Sequence, residues 1–223
     1  MISRGYCWAK WGALVDERVV QRLVRWGRAA LLVVLGLVAG VLVVLIVGLI
    51  FGFLLRLYSI PSGAMETTLH GCNGCTDDHV LVDRTTYWFG DPRPGDIVVF
   101  VGPPSWQALE ARTSPEEFVK RVIAVGGQTV SCCDDHNRVV VDGQAIDEPY
   151  VYFLPEAGAA SQSPFPPVHV PPHELWVMGD SRNNSRDSRV PDLGPVPIDD
   201  VVGRVRWIVL PLSRFGRPIG PAR

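Results

Sequence analysis

The sequence predicts a mainly β protein, an antiparallel β-sheet domain of one catalytic type preceded by one N-terminal transmembrane helix. Three observations predict it. Ala29 to Leu55 is a run of 27 residues without a charge, mostly Leu, Val, Ile, Gly and Phe. Beyond it, short apolar runs of period two recur between Gly, Pro and Asp. Helical periodicity is nearly missing from that second part, which is the pattern of an antiparallel β domain.

With 223 residues the chain has room for one sizeable domain. Its formal net charge of -2 gives no global reason to expect nucleic acid or an acidic partner. As a helix, the apolar run extends ~40 Å, against ~30 Å of bilayer hydrocarbon. A cleaved signal peptide has a much shorter apolar core, so the run reads as an uncleaved anchor. Residues 1–28 form a basic N-terminal segment, 29–55 the anchor, and 56–223 the β domain. Arg4, Lys10, Arg18, Arg22, Arg25 and Arg28 precede the run, opposed by Asp16 and Glu17, and only Arg56 follows before Arg84. The positive-inside rule then predicts a single-pass plasma-membrane protein with its N-terminus cytoplasmic and its β domain outside. Leu14, Val15, Val19, Leu23 and Val24 have helical spacing, with Trp11 and Trp26 at the ends. That segment is either a short helix lying on the inner membrane surface or a solvated basic tail.

Strands are expected at 79–83, 96–101, 117–125, 138–141, 174–178 and 201–210, with a hairpin turn at Asp142-Gly143. Residues 154–172, rich in Pro, Ala and Ser, read as a long surface excursion. Cys7 falls on the cytoplasmic side, as a free thiol. Cys72, Cys75, Cys132 and Cys133 fall outside, where disulfides persist. Closing a ring across adjacent residues is strained, so bonds between the 72/75 and 132/133 segments are expected, or Cys72–Cys75 alone. A zinc site lacks ligand spacing in the second pair.

Three segments carry chemistry: Ser59 to Leu69, Glu117 to Val122, and Gly179 to Arg189. Alternation puts Phe118, Lys120 and Val122 on one strand face. A lysine between apolar neighbours is commonly a solvated edge residue, but a desolvated one loses basicity and can serve as a general base. Together the three segments, with Arg93-Pro-Gly-Asp-Ile-Val-Val-Phe100 and Gly194-Pro-Val-Pro197, resemble the boxes of bacterial type I signal peptidases. These are membrane-bound serine proteases with a Ser/Lys dyad. The resemblance runs from the anchor to near the C-terminus and implies that Lys120 is the general base. It further implies that Ser62 and the N–H of residue 64 form the oxyanion hole, and that Ser185 orients Lys120. Asp187 and Arg189 are implied to form a charge network with Arg121. No metal or organic cofactor is implied, since base and nucleophile are side chains. The five histidines, His70, His79, His136, His169 and His173, match no catalytic position.

One residue departs from the pattern. The family has Ser immediately before the Met of the first box, here Met65, and this chain has Ala64. Ala offers no nucleophile, and Ser62 lies ~6.5 Å away along an extended chain, out of reach of a base placed for residue 64. The expected partners are exported preproteins with Ala-x-Ala signal peptides, together with membrane lipid. Two function classes remain: a signal peptidase inactivated by loss of its nucleophile, or a natural pseudoenzyme that binds or sequesters precursors. The anchor argues against a self-cleaving repressor-type Ser/Lys protease.

Overall fold

The computed structural model describes residues 17–71, 74, 76–107 and 117–216. Cys7, Cys72 and Cys75 therefore lie outside the described residues. Contacts divide the chain into two compact units at Gly52–Phe53.

The first unit is dominated by α1 (Glu17–Leu54). Its stretch from Val20 to Leu54 is long and apolar enough to cross a membrane, with a mean hydropathy of 3.3. Leu31, Val38, Leu45 and Phe51 are all exposed. Of the segment 11–26, expected as a surface helix or a solvated tail, residues 17–26 belong to this continuous helix and residues 11–16 lie outside the described residues.

In the second unit, α1 passes without a linker into β1 (Leu55–Ser59). Next come β2 (His79–Asp83), β3 (Ile97–Val101), β4 (Glu117–Val125), β5 (Thr129–Cys132), β6 (Val139–Val141), β7 (Gln144–Ala145), β8 (Phe165–His169), β9 (Glu174–Met178), β10 (Val196–Pro197) and β11 (Val201–Leu210). They form a seven-stranded sheet, order β1-β2-β11-β3-β4-β9-β10, and a four-stranded sheet, order β7-β6-β5-β8. The strand pairs are antiparallel. β2 buries alternate residues, as a strand with one wet face should, whereas β3 buries four in succession because both its faces are covered. Ile123, Trp176 and Met178 of the large sheet pack against Val130, Val139 and Phe165 of the small one, which joins the two sheets through one core.

Each of the six expected strands is present. β7 is the second arm of the hairpin turned at Asp142-Gly143, and four others escaped the pattern: β1, β5, β8 and β10. β8 corrects the expectation of a surface excursion over 154–172. Pro166 and Pro167 donate no hydrogen bonds, so the segment reads as loop, yet β8 pairs only with β5 and needs donors on one side alone. Phe165 secures it, stacked 5.3 Å from Trp176.

The expectation of bonds between the 72/75 and 132/133 segments is also corrected, while the alternative Cys72–Cys75 bond lies outside the described residues. Cys132 bonds its neighbour Cys133, the pairing set aside for ring strain, with Cα atoms 3.0 Å apart. At this point β5 ends and the chain turns toward β6, so the two thiols are not held apart on opposite strand faces. Cys132 is buried in the core between the sheets and Cys133 packs against it.

Candidate active site

The chain leaves β1 into a 3-10 turn at Gly63–Met65. Ile60, Met65 and Leu69 pin this turn, each 2% exposed or less, in the core under β2, β3 and β11. A Cβ at Gly71 would collide with the Ile60 carbonyl and stand 2.7 Å from the Ser62 amide nitrogen, so only glycine lets the returning chain pass here. Glu66 holds the same loop from within. Its carboxylate accepts the Gly71 N–H at 3.1 Å and bonds His70 Nδ1 at 2.5 Å. His70 is thus structural, in line with its lack of any catalytic match. Ser62 is exposed and makes no side-chain capping bond, leaving its hydroxyl open to solvent. Ala64 is buried, and its N–H stands in the first turn, where no intrahelical acceptor exists.

Lys120 sits inside the large sheet, opposite Val98 on β3, with Arg121 opposite Met178 on β9. β4 packs against the 3-10 turn that carries Ala64. Phe118 and Val122, its same-face neighbours, belong to the aromatic cluster around Phe100 and Trp106. Lys120 is 5% exposed and makes no hydrogen bond or ion pair among the described residues. Burial lowers its pKa to about 8, and the carboxylate of Asp187 is the largest opposing influence. A substantial neutral fraction at mild pH is what a general base requires.

The third segment begins where β9 ends. Gly179 is wedged against the turn: a Cβ there would collide with Ser185 Oγ and lie 2.5 Å from the Ala64 carbonyl oxygen. The Ser181 N–H donates to that same carbonyl at 3.1 Å, which ties this segment directly to residue 64. Ser185 Oγ is buried and lacks a hydrogen-bond partner among the described residues. Asp187 accepts the Gly179 N–H at 2.9 Å and a forked pair of bonds from Arg189, both 2.8 Å. Desolvation works against its ionised form, but Arg189 outweighs it and holds the carboxyl below its ordinary range.

The charges expected as one network with Arg121 are arranged as two pairs. Arg189 holds Asp187, and Arg121 forks onto Asp180 at 2.8 and 2.6 Å. The register explains this, because Asp180 stands two residues past Met178, the strand partner of Arg121. Asp180 also accepts the Thr68 hydroxyl at 2.5 Å, linking the first and third segments. Sequence reasoning gave Asp180 no role, although it lies within the third segment. It also missed Tyr150, whose ring lies 3.8 Å from the Arg121 guanidinium, and the buried Glu148–Arg182 pair. Glu148 and Tyr150 come after the hairpin in a stretch without periodicity, so only the pairing of Arg182 with an acid offered a signal.

The structure therefore brings Ala64, Met65, Lys120, Arg121, Ser185, Asp187 and Arg189 into one neighbourhood, with Ser62 at its exposed rim. Among the described residues no cluster of His, Cys, Asp or Glu could hold a metal ion. Such a set can deliver an uncharged amine, two serine hydroxyls and a backbone N–H to a carbonyl placed beside residue 64.

Comparison with known proteins identifies one family. The model of the family "Signal peptidase, peptidase S26" matches residues 33–210. A probable signal peptidase I of Mycobacterium leprae is 40% identical over 222 residues, covering 79% of this chain and 76% of that protein. Signal peptidase I of Mycobacterium tuberculosis is likewise 40% identical, covering 82% and 75%. Signal peptidase I T of Bacillus subtilis is 31% identical over 194 residues, covering 85% and 86%.

Proposed function

Since the chain belongs to the signal peptidase family, peptidase S26, we propose that it is a signal peptidase I whose nucleophile position is Ala64, and that as written it does not cut. The observation carrying this reading is the buried Lys120, without a hydrogen-bond or ion-pair partner among the described residues and with its pKa lowered to about 8, on a strand packed against the turn of Ala64.

With a hydroxyl at position 64, Lys120 Nζ takes its proton as the oxygen attacks the scissile carbonyl. The tetrahedral oxyanion receives hydrogen bonds from the N–H of residue 64 and from the Ser62 hydroxyl. Collapse breaks the C–N bond, and the ammonium of Lys120 returns the proton to the leaving amine. Water, deprotonated by the same lysine, then hydrolyses the acyl-enzyme. Ser185 orients the amine, while Asp187 and Arg189 fix the loop that carries it. In the present chain the attacking oxygen is missing, and loss of that group costs about a million-fold in turnover in another serine protease. The substrates are exported preproteins with small residues at the first and third positions before the cut. α1 anchors the protein in the plasma membrane with its N-terminus cytoplasmic, by the excess of basic residues before the span.

Cleavage of an Ala-x-Ala preprotein in liposomes, comparing the chain with its Ala64→Ser variant, tests the proposal. Only the variant should cut. Cleavage by the unaltered chain, with contaminating protease excluded, would overturn it. If neither cuts but both bind the peptide, the chain is a pseudoenzyme that holds precursors.

A further inference from the structure

A cleft of about 540 Å³ opens beside the candidate site and shares Ser185 with it. One wall is the exposed segment holding Ala157, Ala159 and Ser163, the other the segment from Arg182 to Pro191. None of its lining residues belongs to β1 or β4. Two features bear on the ligand it accepts. First, both guanidiniums on its walls are already neutralised, Arg182 by Glu148 and Arg189 by Asp187, so the cleft presents no unpaired charge. Second, the remaining wall is uncharged, made of alanine, serine, proline and valine with the amides of Gln162 and Asn183, which suits an extended uncharged peptide rather than a single large side chain.

The direction of the substrate is set by the fold. β1 is an edge strand of the large sheet and can pair with an extended peptide. It starts at Leu55, the residue after the apolar helix, and it leads toward Ala64. Tyr58 and Arg56 on β1 reach Glu117, three residues before Lys120 on β4, so the same edge runs beside the base strand. A signal peptide carries its apolar core on the N-terminal side of the cut and keeps it in the membrane. The β1 side, nearest the anchor in the chain, therefore takes the part before the cut. The part of the substrate beyond the cut must continue past residue 64 to Ser185.

We propose that the cleft at Ser185 binds the first residues of the mature protein, and that it selects uncharged, small or polar residues there. This rests on the signal peptidase reading and adds to it a second specificity surface, on the released side of the cut. The unpartnered Ser185 hydroxyl stands at the junction of site and cleft.

Binding to the full chain in nanodiscs tests this without any cleavage. One synthetic peptide ends at the last Ala of an Ala-x-Ala signal sequence; the second continues for five Ser, Gly and Gln residues. The extension should tighten binding roughly tenfold, and a third peptide with Lys and Glu in the extension should lose that gain. Ala159→Trp, at an exposed position that fills the cleft, should abolish the gain and leave the short peptide's affinity unchanged. Ser163→Trp serves as the second filling variant. No gain from the extension, or the same gain in both filled variants, would overturn the subsite while the short peptide still binds. If the unaltered chain binds neither peptide, the signal peptidase reading fails and the subsite falls with it.

Discussion

Two arginine–carboxylate pairs in the β domain have the same chemistry and opposite surroundings. Arg121 and Asp180 meet beneath the site with side chains 2% and 0% exposed, bounded by Thr68, the Gly95 carbonyl and the Tyr150 ring. Arg138 and Asp134 meet at the mouth of the β5–β6 hairpin with 49% and 21% exposed. The outer pair is one local turn: Asp134 also accepts the His136 and Arg138 N–H groups, and its bond to Arg138 holds its carboxyl below the usual range. The inner pair joins residues 59 apart in sequence, fixing the segment after β9 against β4. Water competes for the outer charges and cannot reach the inner ones. A buried pair is weak as a source of stability but expensive to break, because one partner is then left as an uncompensated charge. Its value here is placement: it holds Gly179 and Ser181 against residue 64.

Breaking the inner pair should have the largest effect on folding. Asp180→Ala removes the buried carboxylate that accepts two Arg121 hydrogen bonds and the Thr68 hydroxyl, and should cost about 3–5 kcal/mol, read from urea denaturation followed by tryptophan fluorescence. A loss no greater than that of an exposed substitution would show that water reaches the site.

The unpaired charge of Lys120 sharpens the contrast next. Its pKa is about 8 in the folded protein against 10.5 unfolded, so folding favours the neutral amine. Below pH 8 both states bind the proton and the burial cost is constant, about 3 kcal/mol. Between pH 8 and 10.5 the unfolded chain binds the proton and the folded one does not, so stability rises with pH through that window. The stability of Lys120→Met relative to the unaltered chain should therefore be highest below pH 8 and shrink as pH rises to 10.5. A pH-independent difference between the two proteins would mean that Lys120 is hydrated. At the small end, Asp134→Ala should leave the denaturation midpoint unchanged, since an exposed pair on one turn contributes little. A clear drop would show that the hairpin is more tightly locked than its exposure implies.

Much of this was legible in the chain. The apolar run, the alternating strands and the turn at Asp142-Gly143 are local patterns, and they specified the long apolar helix and six strands because period and charge are properties of neighbouring residues. The three motif segments could be recognised on the same footing, and Ala64 with them. The remainder depends on residues far apart. Lys120 is a buried amine of lowered pKa because neighbouring strands and the turn at 63–65 surround it, and no feature within Glu117–Val125 states that. Asp180 is the partner of Arg121 because the β4–β9 register sets them together. β8 is a strand because Phe165 finds Trp176, against the proline signal of its own sequence. Cys132 chose its neighbour rather than a distant thiol because the end of β5 turns the two together. Sequence supplies the periodicities and the reactive groups; desolvation and charge pairing arise only when separate segments exclude water from one another.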